Sequence, residues 1–588
     1  MNKEYYLQRL NDANHKLEEF KTKSNKLSHF RLISFILFLF SIIVFLINEH
    51  YLYLIISVIF LGVFIALVII HNMISKNINY YQLLIETLNE YIYRFDNRWM
   101  SFNETGSEFN NNELPFLQDL DIIGETSLFK YLNICKTKNA KQKLVDRLSN
   151  PYNTKEELLS KQKSMQELSN NIDFSLNFQI ALKDYRNQRA SLSLNKVTKY
   201  LEDEIEFSKT NIYISILLTI LSLITGVLSV FDIISFTYFV LLFVLQLLYS
   251  SLYLIKYKDV FQQISNLSLS IVMLDSIYKV IDKEKFSDET LNTLQKDINN
   301  YGLVGIKEIN KIKNIESYNK FFVTYLLFNG LFSLNILIIY YFKKFIDNYG
   351  VDFSKSVDAL EDFEVCTSLA ILGQTKKGLT LPLTDENIKI NFTNLKHPLI
   401  TEIDCAPNSL KQESNINIIT GSNMSGKTSF LRTVGINLIL MNAGSYCQAD
   451  SFSSPYLRVF TSMRIADDIT KGVSTFYAEL LRIKAAIEYS KVNKPMVIFI
   501  DEIFKGTNSN DRIQGAISLI EKLNKHNIII FISTHDFELC EIKSVNIRNY
   551  HFSEYYEEDK IKFDYKLKSG RCNTTNAKYL MKIAGIID

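Results

Sequence analysis

The chain has 588 residues, with 65 Lys and Arg against 63 Asp and Glu, a formal net charge of +2. That length accommodates about three to four domains of roughly 150 residues, and the balanced charge excludes a global basic field of the kind that marks nucleic-acid binders. Few glycines (19) and prolines (7) predict a helix-rich chain, and the six scattered cysteines, with no CxxC pair or zinc spacing, predict reduced thiols and no zinc site.

Residues 1–30 are polar and read as a cytoplasmic N-terminal tail. Two apolar runs follow, Leu32–Ile47 and Tyr51–Ile70, separated by Asn48-Glu49-His50. A second pair, Ile212–Phe231 and Ile233–Ile255, is separated by Asp232 alone. At about 1.5 Å per residue each run is about 24–35 Å long as a helix, which matches a hydrocarbon core of about 30 Å. The chain therefore reads as two transmembrane hairpins, 31–70 and 212–255, in contact with membrane lipid. The first run begins after thirty polar residues and lacks a small-residue cleavage site, which argues against a signal peptide. Lys21, Lys23, Lys26, Arg31, Lys76, Lys256 and Lys258 flank the outer ends, and the tight turns carry no Lys or Arg. Both hairpins are thus expected to enter from and return to the cytoplasm, giving an integral membrane protein, of the inner or plasma membrane in a bacterium.

Residues 71–211 and 256–385 read as the two parts of a helical core. Within the second, Phe321–Phe342 is apolar but contains Asn329 and Asn335. A fifth crossing there would separate 71–211 from the C-terminal domain across the bilayer, so this stretch is expected to be a buried or interfacial helix.

After Lys376 short β-rich runs alternate with amphipathic patterns, which predicts an α/β domain over 386–588 with a mostly parallel sheet. The fold class is thus an α/β P-loop domain joined to an all-α region with two transmembrane hairpins. The run INIIT (416–420) feeds Gly421-Ser422-Asn423-Met424-Ser425-Gly426-Lys427-Thr428, followed by Ser429 and a helical pattern. This is GxxxxGK[ST] in its required context. Its backbone N–H groups and helix N-terminus cradle phosphate, Lys427 reaches the β and γ phosphates, and the Thr428 hydroxyl holds Mg²⁺. PMVIFIDE (495–502) ends in Asp501, suited to the Mg²⁺ shell, and Glu502, suited to orienting the attacking water. IIIFIST (528–534) leads into His535, where a γ-phosphate sensor is expected. Glu502 and His535 are the expected catalytic residues, with ATP and Mg²⁺ as ligands.

The order of these blocks resembles the MutS family, the mismatch-repair ATPases of the ABC type. NLKHPLI (394–400), TGSNMSGKTSFLRTVGINLILMNAGSYCQAD (420–450), ADDITKGVSTFYAELLRI (466–483), IDEIFKGTNSND (500–511) and STHDFEL (533–539) carry the likeness over 358–588. Residues 125–168 and 358–372 look, more weakly, like the family's helical core with its lever helices. The resemblance implies a dimer, in its simplest form a homodimer, in which ATP at one cradle is completed in trans by a signature comprising Ser474, Thr475 and Glu479. The stretch 570–586 looks like the closing dimerisation segment.

The departures are as informative. No mismatch-reading module surrounds Phe102-Asn103-Glu104, the tripeptide that fits the family's Phe-x-Glu wedge, so a solvated loop is expected there. The second hairpin falls where the family inserts its DNA clamp. Val473 stands where a basic residue is common, and Phe504 and Lys505 replace a Gly-Arg pair. Two functions follow from the resemblance: a membrane-anchored ATPase that still binds DNA, nonspecifically or by structure, or an ATP-driven switch at the membrane acting on a protein or lipid partner without DNA. A DNA surface needs clustered cations, and Lys130, Lys136, Lys138, Lys141, Lys143 and Arg147 form the candidate patch.

Overall fold

The computed structural model describes residues 3–150, 154–187, 201, 205–464, 475–492, 494–504, 508–524, 527–542, 544–557 and 560–572. They form two compact units. The first comprises 1–96, 172–285 and 295–358, and the second 97–171, 286–294 and 359–588.

In the first unit, the helices Lys3–Asn48 and Tyr51–Phe95 form an antiparallel hairpin. It turns at Glu49 (φ 52°), and His50 Nδ1 caps the second helix by accepting from the Leu52 N–H. The hairpin extends well past its apolar end. Residues 3–30, expected as a tail, are helical because Tyr6, Ala13 and Leu17 recur at helical spacing and are buried. Tyr6 stacks on Tyr91 at 4.8 Å and Phe20 on Tyr81 at 5.6 Å. The second hairpin joins Lys209–Val230 to Phe236–Lys256, with Ser208 and Ser235 as N-caps.

Among the described residues, five helices are long and apolar enough to cross a membrane, or up to six if a bent pair counts as one. The fifth, Lys258–Asp282, was expected as part of the helical core, and its apolar window is 56% buried. The four hairpin helices instead expose their apolar windows, which are only 6–17% buried.

The bent pair replaces the single helix expected over 321–342. Phe322–Phe332 and Leu334–Thr375 meet at 79°, and the break falls at Ser333, which adopts φ 49°. A broken helix frees backbone groups that an apolar setting cannot satisfy, and here polar side chains take them. Gln246 Nε2 donates to the Leu331 carbonyl (3.0 Å), and the Asn335 N–H donates to Asn329 Oδ1 (3.0 Å). Ser250 also donates to Asn329 Oδ1 (2.7 Å), and Asn335 Nδ2 donates to the Ser250 carbonyl (3.1 Å). Asn329 and Asn335 are therefore buried, as expected, but as the seal of a break. Gly330 lets the short helix close on Phe243, since a Cβ there would lie 2.3 Å from the ring.

The second unit holds the α/β fold. Its main sheet has the strands β4 (Ile416–Thr420), β6 (Arg458–Ser462), β7 (Met496–Asp501), β8 (Ile528–Thr534), β9 (Ile547–His551) and β12 (Lys568–Ser569) in the order β12-β9-β4-β8-β7-β6. All neighbours are parallel except β12 with β9. A smaller sheet, order β1-β5-β2-β3, comprises Leu383–Thr384, Asn391–Leu395, Asn408–Lys411 and Ser451–Ser454 as β1, β2, β3 and β5. An antiparallel pair, β10 (Glu554–Glu557) and β11 (Lys560–Phe563), follows β9.

β4 and β8 are buried along their whole length, which accounts for the three isoleucines of β4 and the unbroken apolar run Ile528–Ile532 of β8. Ile418, Ile498, Ile500, Ile530 and Ile532 pack into one core with Ile483 and Ala486 of the helix Thr475–Ser490 and with Ala516, Leu519 and Ile520 of Ser509–Leu523. The helix Lys427–Asn442 is itself largely buried.

One buried carboxyl ties residues 97–171 to the helix that ends at Thr375. Glu364 Oε2 accepts from the N–H groups of Lys136 (2.6 Å) and Thr137 (3.4 Å), while Oε1 is buried without a hydrogen-bond partner among the described residues. Burial, helped by nearby Glu361, pushes its pKa up to about 7 against the two N–H groups that favour the anion. The folded chain thus keeps a proton across the window from 4.5 to about 7 that the unfolded chain has released. Its contribution to stability is full below pH 4.5 and is lost as pH rises through 7, with a slope of at most about 1.4 kcal/mol per pH unit. Glu364→Gln is expected to flatten this loss. Melting of the full chain in detergent at pH 5 and pH 8 checks it, and an equal loss in both proteins contradicts it.

Candidate functional site

The register of the main sheet assembles the site. Thr420 pairs with Thr534, and Asp501 pairs with Ser533, so the residues that follow β4, β7 and β8 emerge at one edge. The carboxyl ends of parallel strands are where α/β sheets bind ligands.

At that edge the chain turns through Gly421–Gly426 into the helix opening at Lys427. Gly426 sits at φ 104°. At Gly421 a Cβ would lie 2.7 Å from Ser425 Oγ and 2.8 Å from the Phe552 carbonyl, so the turn has no room for a side chain there. Met424 forms the exposed tip, also with positive φ (66°). Lys427 is buried, and its ammonium donates to the carbonyls of Gly421 (2.8 Å) and Ser422 (2.9 Å). His535 Nε2 is 3.4 Å away. Ser425 Oγ is buried with no hydrogen-bond partner among the described residues. Ser422 Oγ donates to Glu554 Oε2 (2.8 Å). Asn423 and Ser429 line the same cavity.

Thr428 Oγ1 donates to Asp501 Oδ2 at 2.8 Å, and the Ser533 hydroxyl donates to Asp501 Oδ1. One carboxylate and two hydroxyls thus converge, and no cluster of three or more His, Cys, Asp or Glu suited to a metal occurs among the described residues. That donor set fits Mg²⁺, which keeps waters and phosphate oxygens as ligands, and not zinc. Glu502 adopts φ 54° and its Oε1 lies 3.2 Å from His535 Nε2. Two groups expected to act in catalysis therefore touch.

A cavity of about 800 Å³ opens over this edge. Residues 423–430 and Glu502 form one wall, and His397, Ile400, Asp404 and Tyr565 lie on others. His397 has its pKa lowered to about 4 by burial, then by Arg432 and Lys376, so its ring is neutral and Nδ1 accepts from the Leu399 N–H.

The signature residues are only partly brought in. Ser474, with Val473, lies outside the described residues, as does the closing segment from 573 onward. Thr475 opens the helix to Ser490. Glu479 is buried, and its Oε1 accepts from the Phe504 N–H at 2.7 Å, a contact inside the chain. Phe504 itself takes φ 57°, a conformation that glycine adopts freely and that costs another residue about 1–3 kcal/mol. Its ring packs on Phe476 (6.0 Å) and against Gly515. Lys505 is outside the described residues.

Sequence reasoning missed Ser533 and Glu554. Ser533 follows from strand register, which no local pattern announces, and Glu554 arrives from a hairpin over a hundred residues beyond its partner. The Phe102-Asn103-Glu104 tripeptide is turned to internal use: Glu104 accepts from Asn133 Nδ2 (2.6 Å) and Lys141 Nζ (2.8 Å).

A family model described as MutS domain V matches residues 417–588. Similar proteins include the DNA mismatch repair protein MutS of Aquifex pyrophilus, 31% identical over 219 residues, which are 36% of this chain and 25% of that protein. MutS of Streptococcus equi subsp. equi (strain 4047) is 28% identical over 251 residues, 41% of this chain and 29% of that protein. MutS of Streptococcus pneumoniae serotype 19F (strain G54) is 28% identical over 233 residues, 38% and 27% respectively. The chain thus spans well under a third of the length of the relatives it matches. Residues 417–588 thus match MutS domain V, and over that region and the blocks around it the chain is similar to MutS proteins.

Proposed function

We propose that this chain is a membrane-anchored ATPase that binds ATP with Mg²⁺, hydrolyses it as a dimer, and does not use Phe102-Asn103-Glu104 as a mismatch-reading wedge. The observation that carries the reading is the convergence of the 421–428 turn, Asp501, Glu502 and His535 on one edge of a parallel sheet. Residues 421–429 supply the N–H groups, hydroxyls and Lys427 ammonium that suit a triphosphate. Thr428 and Asp501 would hold Mg²⁺, which when bound neutralises charge on the phosphate oxygens. Glu502 orients or deprotonates water, and His535, in contact with it, donates toward phosphate. Ser474 and Thr475 act toward the facing subunit, while Glu479 braces the turn that carries Glu502.

Anchoring is supported by the hairpin helices, whose exposed apolar sides include Phe40, Ile47, Val230 and Phe231. Contiguous apolar surface of that extent belongs in lipid. The cytoplasmic side for the ATPase follows from the basic flanks. The domain division keeps the sequence boundaries, with hairpins at 31–70 and 212–255, helical core and lever at 71–211 and 256–385, and the ATPase with its dimerisation segment at 386–588. Residues 3–30 are continuous with the first helix of hairpin 31–70.

DNA enters through the family, since the relatives are named for mismatch repair. A second reading, a switch acting on a protein or lipid without DNA, is favoured by the fate of the candidate basic patch. Lys130 is buried against Glu125, Lys141 pairs with Glu104, Lys143 with Glu361 and Asp362, and Arg147 donates to the Ala443 carbonyl. Four of its six cations are committed within the chain.

The purified chain in detergent is expected to hydrolyse ATP only with Mg²⁺, and in cells to stay in membranes through an alkaline carbonate wash. Release by that wash, or no Mg²⁺-dependent turnover, overturns the proposal. Duplex binding at low salt that weakens steeply as salt rises supports the DNA reading, and its absence supports the switch.

A further inference from the structure

We infer that Asp119, with its neighbours Leu120 and Asp121, is a positioning clamp that fixes the elements on either side of the signature block to the phosphate-binding helix. The inference rests on the ATPase reading above and assigns these residues no contact with nucleotide.

Asp119 ends the short helix Phe116–Asp119 and is fully buried. Its two oxygens take three donors. The N–H of Arg464 reaches Oδ1 at 3.1 Å, and the N–H of Met463 reaches Oδ2 at 3.2 Å. The Arg482 guanidinium reaches Oδ2 at 2.9 Å. Met463 and Arg464 follow directly on β6, and Arg482 lies on the helix Thr475–Ser490. One carboxylate therefore grips the chain both before and after the block that holds Ser474.

The next two residues reach the phosphate side. Asp121 takes Arg464 at 2.6 Å and, at 3.4 Å, Arg432 of the helix that opens with Lys427. Leu120 is buried over Gly435 of that same helix, where a Cβ would lie 2.7 Å from its Cδ2. Three consecutive residues thus touch the phosphate helix, the end of β6 and the helix after the signature.

The chemistry suits a rigid tie. A buried carboxylate with three donors is satisfied and directional, and losing its charge weakens all three contacts at once. Catalytic geometry is sensitive to displacements of about 1 Å. Where a site is completed by a neighbouring subunit, a displaced signature leaves a subunit's own ATP binding intact and impairs hydrolysis in its partner. A merely stabilising contact has no such signature.

The test uses the full chain in detergent and measures binding of labelled ATP, turnover and mixed-subunit complementation. Asp119→Asn is expected to change the ATP Kd by less than about three-fold and to lower kcat by about ten-fold or more. Mixing it with Lys427→Ala, which carries an intact clamp but a disabled cradle, is expected to restore turnover, because each mixed dimer then holds one site with a sound cradle and a sound signature. Turnover of Asp119→Asn within three-fold of wild type overturns the inference, and so does a loss of turnover that mixing does not repair. If Asp119→Asn fails to fold, Arg482→Gln carries the same readouts, since it removes the charged donor on the helix after the signature and leaves the Met463 and Arg464 N–H contacts to Asp119. Wild-type protein that neither binds nor hydrolyses ATP overturns the ATPase reading, and the clamp with it. A normal wild type beside an unaffected Asp119→Asn overturns the clamp alone.

Discussion

Lys427→Ala is expected to abolish ATP binding at micromolar nucleotide, weakening it by about a hundred-fold or more. The magnitude follows from what the ammonium does. It is buried, and the carbonyls of Gly421 and Ser422 hold it at 2.8 and 2.9 Å over the turn. Charge-assisted hydrogen bonds are worth about 1.5–3 kcal/mol each, and two of them to phosphate oxygens amount to roughly two decades in Kd. The ammonium's bonds to the Gly421 and Ser422 carbonyls also brace the turn, so the variant frees both. A melting temperature near that of wild type, together with lost binding, assigns the effect to the missing ammonium. Titration with a fluorescent ATP analogue reads the affinity directly. Binding within three-fold of wild type would remove Lys427 from the cradle.

Much of this site was legible because its parts are local. The glycine spacing of 421–428 encodes a turn whose backbone geometry is its function, and the strand before it is rich in isoleucine because both faces of the sheet are covered. Asp501, Glu502 and His535 were readable as tips of such strands. What was hidden depends on register and tertiary approach. Ser533 reaches Asp501 only because β7 and β8 pair Asp501 with Ser533. The basic run 130–147 looked like a patch because sequence gives charge without its partners, and Glu104, Glu125, Glu361 and Asp362 come from elsewhere in the chain. Likewise, the polar spacing of 3–30 hid a helical stripe of only three buried side chains, Tyr6, Ala13 and Leu17. The break at Ser333 was foreshadowed by Asn329 and Asn335, whose amides in an apolar run needed partners, but hydropathy alone does not place a 79° bend.

Glu502→Gln separates binding from turnover. The carboxylate sits one residue beyond β7, with φ 54° and Oε1 3.2 Å from His535 Nε2. Its backbone is fixed on one side by the Ser533 carbonyl (3.0 Å), and the turn beyond it is fixed by Glu479 through the Phe504 N–H (2.7 Å). Glutamine is nearly isosteric, keeps the carbonyl oxygen toward His535 and removes the base. General-base catalysis contributes about 10²–10⁴-fold, so kcat is expected to fall by about a hundred-fold or more while the ATP Kd stays within about three-fold. In a dimer closed by nucleotide, slow hydrolysis also prolongs closure, so size-exclusion chromatography of Glu502→Gln with ATP and Mg²⁺ should retain a dimer that wild type loses as it turns over. Unchanged kcat would take the carboxylate out of the reaction and leave His535 as the better candidate base. A fall in kcat with an equal rise in Kd would place Glu502 in binding. Either result would shift the assignment within the pair that Glu502 and His535 form at 3.2 Å.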